Sequence, residues 1–358
     1  MILVFPYCPS EKRHARFFAA VIAALAAIII MSSMLQAEEI GCLRGVNVSG
    51  GEYGDAEGIY ETAYIYPSDG TLDWAVSRHM NAIRLPFLWE RLQPYLFTDL
   101  DAAELARLQD TVKRANIRGL SVVLDPHNYA SFRGQKIGAG EVPAKALADF
   151  WGRLAHHFAG NNEVVFGVMN EPADIPSKVW FDAAQEALAA IRQANAENLV
   201  LIPGNMWTGA SHWFDEQEGG SNAQLFEQIS DPADNLAFEF HQYMDSDFSG
   251  TKNNCSRVDD AILALKKVTE WLDRNSFRGF LGEFGASTSP ECLTGLMTVA
   301  DYVNRHHTIW IGWTAWAAGE WWGDYPLSLQ PVGKIDKPQM RALLPYLLPK
   351  GNSSQCAR

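Results

Sequence analysis

A chain of 358 residues with 47% hydrophobic and 20% charged residues has enough apolar material for a large core and too little charge for disorder. Lysine and arginine number 29 against 42 aspartates and glutamates, a formal charge of −13. This argues against a nucleic-acid partner, because phosphate contacts need clustered cations; ordinary glycine and proline usage excludes collagen-like and low-complexity chains.

The first 37 residues read as an address. Lys12, Arg13, His14 and Arg16 precede an apolar run over 17–31, and the small and polar residues of 32–37 suit a cleavage region. The run is short for a membrane span of roughly 20 residues, so a cleaved secretory signal is expected, with a retained anchor as the alternative. Cleavage would leave 26 basic against 41 acidic residues, a charge of −15.

From residue 43 a short β-rich run and an amphipathic stretch alternate. The runs are 43–49, 81–86, 119–126, 164–169, 199–203, 236–241, 279–283 and 308–314. Several are continuously apolar, such as Val122-Val123-Leu124, as strands buried on both faces are. Helical patterns lie at 100–119, 143–158, 179–196 and 258–275; in the first, Leu105, Leu108, Val112 and Ala115 recur at spacings of three and four. Eight such alternations predict an α/β chain folded as a single (β/α)8 barrel over 38–350, followed by a short tail over 351–358.

The barrel orders the cysteines. Cys42 precedes the first strand and Cys356 follows the last helix, at the bottom. Cys255 and Cys292 follow strands six and seven, in adjacent loops at the top. Pairs 42–356 and 255–292 are expected in an exported chain, with free thiols as the alternative.

In this architecture a site forms at the C-terminal strand ends. Polar and aromatic residues stand there: Arg84; His127 and Asn128; Asn170, Glu171 and Pro172; Asn205 and Trp207; His241, Gln242 and Tyr243; Glu283; and Trp316. Such side chains are costly to bury unless paired, and their convergence on one face points to a site. Glu171 and Glu283 end strands on opposite sides of the ring, a placement that suits two carboxylates flanking a glycosidic bond.

These residues resemble glycoside hydrolase family 5, retaining barrel glycosidases. Asn170-Glu171-Pro172 and Gly282-Glu283-Phe284-Gly285 are similar to its two signatures, and Arg84-Leu85-Pro86, His127-Asn128, His241-Gln242-Tyr243 and Trp316 follow its order across about 43–349. The 204–210 stretch resembles the cellulase branch. The resemblance implies a secreted endo-β-1,4-glucanase acting by double displacement, with no cofactor and no metal. Glu171 would be the acid and then the base. Glu283 would be the nucleophile, held by Arg84 and the Tyr243 hydroxyl. Asn170 would bind the sugar 2-hydroxyl, His127 and His241 would bind hydroxyls or tune the carboxylates, and Trp207 and Trp316 would carry sugar rings. β-Mannanase and xyloglucanase activities, or a binding barrel without catalysis, are the alternatives. The expected partner is a β-glucan polysaccharide or oligosaccharide, with no nucleic acid, no membrane in the mature form and a monomeric chain.

Other residues have plainer readings. Trp213, Trp321 and Trp322 fall in or near top-face loops and join Trp207 as candidate sugar platforms, whereas Trp151, Trp271, Trp310 and Trp313 suit the core. Adjacent His156-His157 and His306-His307 point apart on helices and make poor metal pairs. Glu52, Glu57 and Glu61 are read as solvated or rim residues. Glu239, two residues before His241, shares its inward face and is expected to pair with an inner arginine or histidine. Asn47-Val48-Ser49 has the glycosylation pattern but ends a buried strand.

Overall fold

The computed structural model describes residue 1 and residues 42–347. The expected signal segment, the tail and Cys356 with its expected bridge to Cys42 lie outside the described residues. Among the described residues no helix is long and apolar enough to cross a membrane.

Eight strands close into one ring. They are β1 Leu43–Val48, β2 Ala82–Phe87, β3 Ser121–Pro126, β4 Val164–Gly167, β5 Val200–Pro203, β6 Leu236–His241, β7 Gly279–Glu283 and β8 Trp310–Ala318. Each pairs in parallel with its chain neighbours, and β1 pairs with β8 to close the barrel. One strand is longer than the 308–314 run suggested: β8 continues to Ala318, which puts Trp316 on the strand itself.

A helix follows every strand: α1 Asp69–Ser77, α2 Ala102–Asn116, α3 Ala144–Phe158, α4 Ser177–Gln193, the short α5 Asn222–Phe226, α6 Val258–Asn275, α7 Pro290–Arg305 and α8 Pro338–Leu347. Their starts follow local chemistry. The Asp101 side chain accepts from the Glu104 N–H at the head of α2, and Ser289 caps α7 with Pro290 in its first turn; both satisfy amide donors that a helix leaves unpaired. In α2 the buried Leu108, Val112 and Ala115 face the barrel, and the corresponding faces of the other helices join them in one apolar layer.

Strand alternation divides the barrel interior into levels. Leu43, Ala82, Val123, Val165, Leu201, Ala237, Phe280 and Ile311 form a separate apolar plug. Two residues on, toward the C-terminal ends, stand Arg84, Asp125, Gly167, Glu239 and Gly282. Two further on, β3 and β6 lead to His127 and His241. The same face therefore passes from hydrocarbon to buried charge to the candidate site.

The long β1–α1 loop is pinned from below. The Arg91 guanidinium donates to the carbonyls of Gly51, Tyr53 and Asp55 at 2.5, 2.7 and 2.8 Å and lies 3.6 Å from the Tyr64 ring centre. Buried Glu104 accepts from the hydroxyls of Tyr64 and Tyr66. These bonds hold the loop against the rim of the barrel.

Candidate active site

Arg84 is the hub. It is wholly buried, and a buried guanidinium is tolerated only when its donors meet acceptors. Nη1 lies 2.8 Å from Glu283 Oε1 and 3.0 Å from Asp125 Oδ2, and Nε lies 2.9 Å from Glu239 Oε1. Nη1 also donates to Asn47 Oδ1 at 2.9 Å, and Nη2 donates to Asn170 Oδ1 at 2.8 Å. Asn47 is itself enclosed and donates to the Gly282 carbonyl at 2.9 Å, so its glycosylation pattern serves the interior.

Glu283 receives a second bond, from the Tyr243 hydroxyl to Oε2 at 2.8 Å. Its two oxygens are thus fixed from two sides. Tyr243 is backed by the loop after β6. Gly250 sits there at φ +69, and a Cβ on it would meet the Tyr243 ring at 2.6 Å. The loop is stapled to the start of α7 by the Cys255–Cys292 disulfide, Cα atoms 5.1 Å apart. This is the expected top-face pair.

Glu171 follows β4 in the left-handed backbone region, φ 44, where a residue with a Cβ is uncommon. It is the more open of the two carboxylates, 18% against 5% side-chain exposure. His241 Nδ1 lies 2.7 Å from Glu171 Oε1 and 3.6 Å from Glu283 Oε2. One oxygen from each carboxylate and one His241 nitrogen all lie within 4.8 Å of one another. One imidazole and two carboxylates are ligands that in composition suit a divalent cation. Both His241 nitrogens, however, already face carboxylates, and Arg84 and Tyr243 occupy Glu283, so the set suits shared protons.

The electrostatics differ across this group. Burial raises the Glu171 carboxyl above the usual carboxylate range; His241 pulls it back, and the charge of Glu283 adds to the rise. Burial alone would lower the His241 imidazolium, but Glu283, Glu171 and Glu239 together raise it to about 10. Burial works against ionised Glu239 too, yet Arg84 and then His241 hold it below the ordinary value.

Asn170 and His127 complete the floor. Arg84 fixes the Asn170 amide oxygen, which turns its nitrogen toward His127 Nε2 at 3.1 Å. Nε2 therefore accepts, and Nδ1 donates to Asp125 Oδ2 at 2.8 Å. Trp316 stacks on His127, centroids 5.7 Å apart and planes 23° off parallel. Its indole N–H donates to the Tyr325 hydroxyl at 3.2 Å.

Trp207 is 46% exposed at the rim, between Met206 and Thr208, and all three have φ between 52 and 60. Its N–H donates to the Pro172 carbonyl at 3.0 Å, and the Thr208 carbonyl accepts from the His241 N–H at 2.9 Å. Trp321 is 40% exposed, and Trp322 lies face to face with Tyr325 at 4.2 Å.

Trp213 corrects an expectation. It is not a cleft residue: the 3-10 turn Ala210–His212 folds it inward, where it is wholly buried against Phe226, Phe240 and Trp271. Asn205 also turns away from the mouth, donating to the Ile175 carbonyl and to Gln217. Asn128 braces the backbone at Trp89 and bonds Glu90. Glu57 pairs with exposed Arg133 at 2.6 Å, while half-buried Glu52 accepts from the Gly50 N–H at 2.7 Å.

Asp125 was not singled out in the sequence. The signal was present: it stands two residues before His127, as Glu239 stands before His241. Tyr129, 41% exposed and edge-on to His127, carries no comparable signal in the sequence.

Known proteins resemble this chain in sequence and in fold. Endo-β-1,4-glucanase B of Aspergillus niger is 34% identical over 289 residues, covering 80% of this chain and 84% of its own. A triple mutant of an endo-β-1,4-glucanase from Xanthomonas axonopodis pv. citri is 43% identical with a TM-score of 0.83, covering 85% of this chain and 98% of that one. Pseudomonas stutzeri endoglucanase Cel5A, solved in complex with cellobiose, is 32% identical with a TM-score of 0.79, covering 88% and 96%. With residues 43–319 matching the family as a continuous unit, the chain belongs to the cellulases of glycosyl hydrolase family 5.

Proposed function

We propose that this glycoside hydrolase is a secreted endo-β-1,4-glucanase that cleaves cellulose or related β-glucans with retention of configuration. The observation that carries the reading is the approach of Glu171 and Glu283, with an oxygen of each inside 4.8 Å. Retaining glycosidases hold their carboxyl groups about 5–5.5 Å apart, whereas inverting ones leave about 6.5–9.5 Å for a water. The names of the Aspergillus, Xanthomonas and Pseudomonas relatives support the substrate class.

The roles follow from the environments. Glu171, its carboxyl raised by burial, gives its proton to the leaving glycosidic oxygen. Glu283, fixed by Arg84 and Tyr243, attacks the anomeric carbon. The glycosyl ester neutralises Glu283, which removes its repulsion on Glu171; Glu171 then takes a proton from water, and the water opens the ester. Asn170 binds the sugar 2-hydroxyl, and His127 lies beside it. Trp316 carries the sugar at the cleavage point and Trp207 is a second platform at the rim, since pyranose C–H faces pack on aromatic planes.

Residues 1–37 act as the export signal, and the mature chain works as a monomer. The Cys255–Cys292 bridge supports export, because such bonds persist in oxidising compartments.

The test is hydrolysis of soluble cellulose by the wild type, Glu171→Ala and Glu283→Ala, with the anomer of the first product read by proton NMR. Activity in the wild type alone, releasing the β-anomer first, is expected. An initial α-anomer would overturn retention, and a wild type no faster than Glu283→Ala would overturn the activity. Mannan or xyloglucan outpacing cellulose would replace the substrate.

A further inference from the structure

Glu239 sits below the two carboxylates and touches neither. It is 1% exposed and stands on β6 two residues before His241. Its Oε1 lies 2.9 Å from Arg84 Nε and 3.2 Å from His241 Nε2. The neighbouring strand makes room for it: a Cβ at Gly282 would come within 2.1 Å of the same oxygen. A side chain would evict the carboxylate, so the barrel is built around this group.

His241 therefore has a carboxylate at each ring nitrogen, Glu171 at Nδ1 and Glu239 at Nε2. A neutral imidazole has one donor and one acceptor nitrogen, and its acceptor lone pair would face a carboxylate oxygen. With the Glu171 proton turned to the leaving oxygen, its Oε1 can only accept from Nδ1–H and Glu239 can only accept from Nε2–H, so the doubly protonated ring satisfies both neighbours. The groups facing it from adjoining elements agree: Glu171 after β4, Glu239 on its own strand and Glu283 on β7 surround it, while Arg84 on β2 is engaged with Glu239 and Glu283, and Tyr243 bonds Glu283. His127 provides the contrast. It has the same carboxylate two residues earlier, Asp125, but an amide at its other nitrogen.

We propose that Glu239 is a positioning residue for glycosidic cleavage: from below, it keeps the His241 ring charged and aims its Nδ1–H at Glu171. This rests on the acid–base role of Glu171. When Glu171 passes its proton to the leaving oxygen, a carboxylate forms in a largely buried place. The imidazolium is then the cation that meets the new charge. No proton leaves His241; it lowers the energy of the step by being fixed before the charge appears.

The experiment titrates His241 by ring 15N NMR in the full-length protein and follows kcat over the same pH range. In the wild type both ring nitrogens are expected to stay protonated well above neutral pH, with a midpoint at about 10. In Glu239→Gln the titration should move down by about one pH unit or more. Compared with the wild type at the same pH, its kcat should be roughly tenfold lower or more above that new midpoint and equal to it below, with KM changing little. Asp125→Asn, which takes a carboxylate from Arg84 without touching His241, should leave the His241 titration in place. A wild-type His241 titrating near 6.5 overturns the proposal without any variant, as does an unshifted Glu239→Gln or an equal shift in Asp125→Asn. A wild type inactive on soluble cellulose would defeat the glucanase reading instead, and the titration would still be read.

Discussion

Glu283 Oε1 lies 2.8 Å from Arg84 Nη1, with both side chains enclosed by the barrel. The pair is not isolated, because the same guanidinium also pairs with Asp125 and Glu239. Removing it would leave three interior carboxylates without their shared cation. Breaking a buried ion pair by deleting one partner costs about 3–5 kcal/mol. Arg84→Met should therefore lose at least that much in urea unfolding at pH 7, together with nearly all activity. Acid should recover part of the stability, as these carboxylates become protonated. A variant as stable as the wild type would show that the hub carries little of the fold.

Much of this hub was legible. The apolar runs disclosed the strands, since a strand covered on both faces needs no polar alternation. The residues at their ends disclosed the site, since the fold collects strand termini at one mouth. The part of Asp125 in the hub was not legible. Asp125 closes an apolar run, and only the β2–β3 register, pairing Pro86 with Asp125, puts it within reach of Arg84. Trp213 was misplaced because loop membership says nothing about which way a tight turn directs a ring. The length of β8 was missed because Trp316, Ala317 and Ala318 look like loop when their pairing with β1 is unseen.

The titration of Glu171 should depend on the charge of Glu283. The Glu283 charge raises the Glu171 carboxyl, so removing that charge must lower it. Glu283→Gln mimics the neutral glycosyl ester. Carbon-13 NMR of the glutamate carboxyls should show Glu171 titrating at lower pH in this variant than in the wild type. The same sign governs the rate profile: Glu171 must hold its proton in the first step, so its raised value extends activity upward in pH. An unmoved Glu171 in Glu283→Gln would separate the two groups.

Tyr243 offers a graded test. Its hydroxyl bond to Glu283 has a charged acceptor, a class of bond worth about 1.5–3 kcal/mol. Tyr243→Phe should lower kcat roughly ten- to hundredfold. Gly250→Ala should act through the same bond, because its Cβ would meet the Tyr243 ring at 2.6 Å. In the double variant the two losses should fall short of additive. Full additivity would mean that Gly250 matters for its own backbone alone.

The Cys255–Cys292 bridge closes a sequence separation of 37 residues and fastens the loop that backs Tyr243. Replacing both cysteines by serine should cost about 2–4 kcal/mol in denaturant unfolding. Unchanged unfolding after verified loss of the bond would deny the bridge a stabilising part.

Two tryptophans close in sequence should give opposite phenotypes. Trp207 is 46% exposed, and its loop is tied down by backbone bonds to Pro172 and His241 that do not involve the indole. Removing the ring should leave the fold intact and take away a stacking surface. Trp207→Ala is expected to lower kcat/KM on cello-oligosaccharides roughly tenfold, about 1.4 kcal/mol, with the melting temperature within about two degrees of wild type. Trp213 is wholly buried against Phe226, Phe240 and Trp271. Its truncation leaves a large cavity, and Trp213→Ala should lose about 3–5 kcal/mol of stability while the folded fraction keeps its kcat/KM. If Trp213→Ala instead impairs kinetics at full stability, the indole reaches substrate after all; if Trp207→Ala leaves kcat/KM untouched, the exposed ring is no platform for sugar.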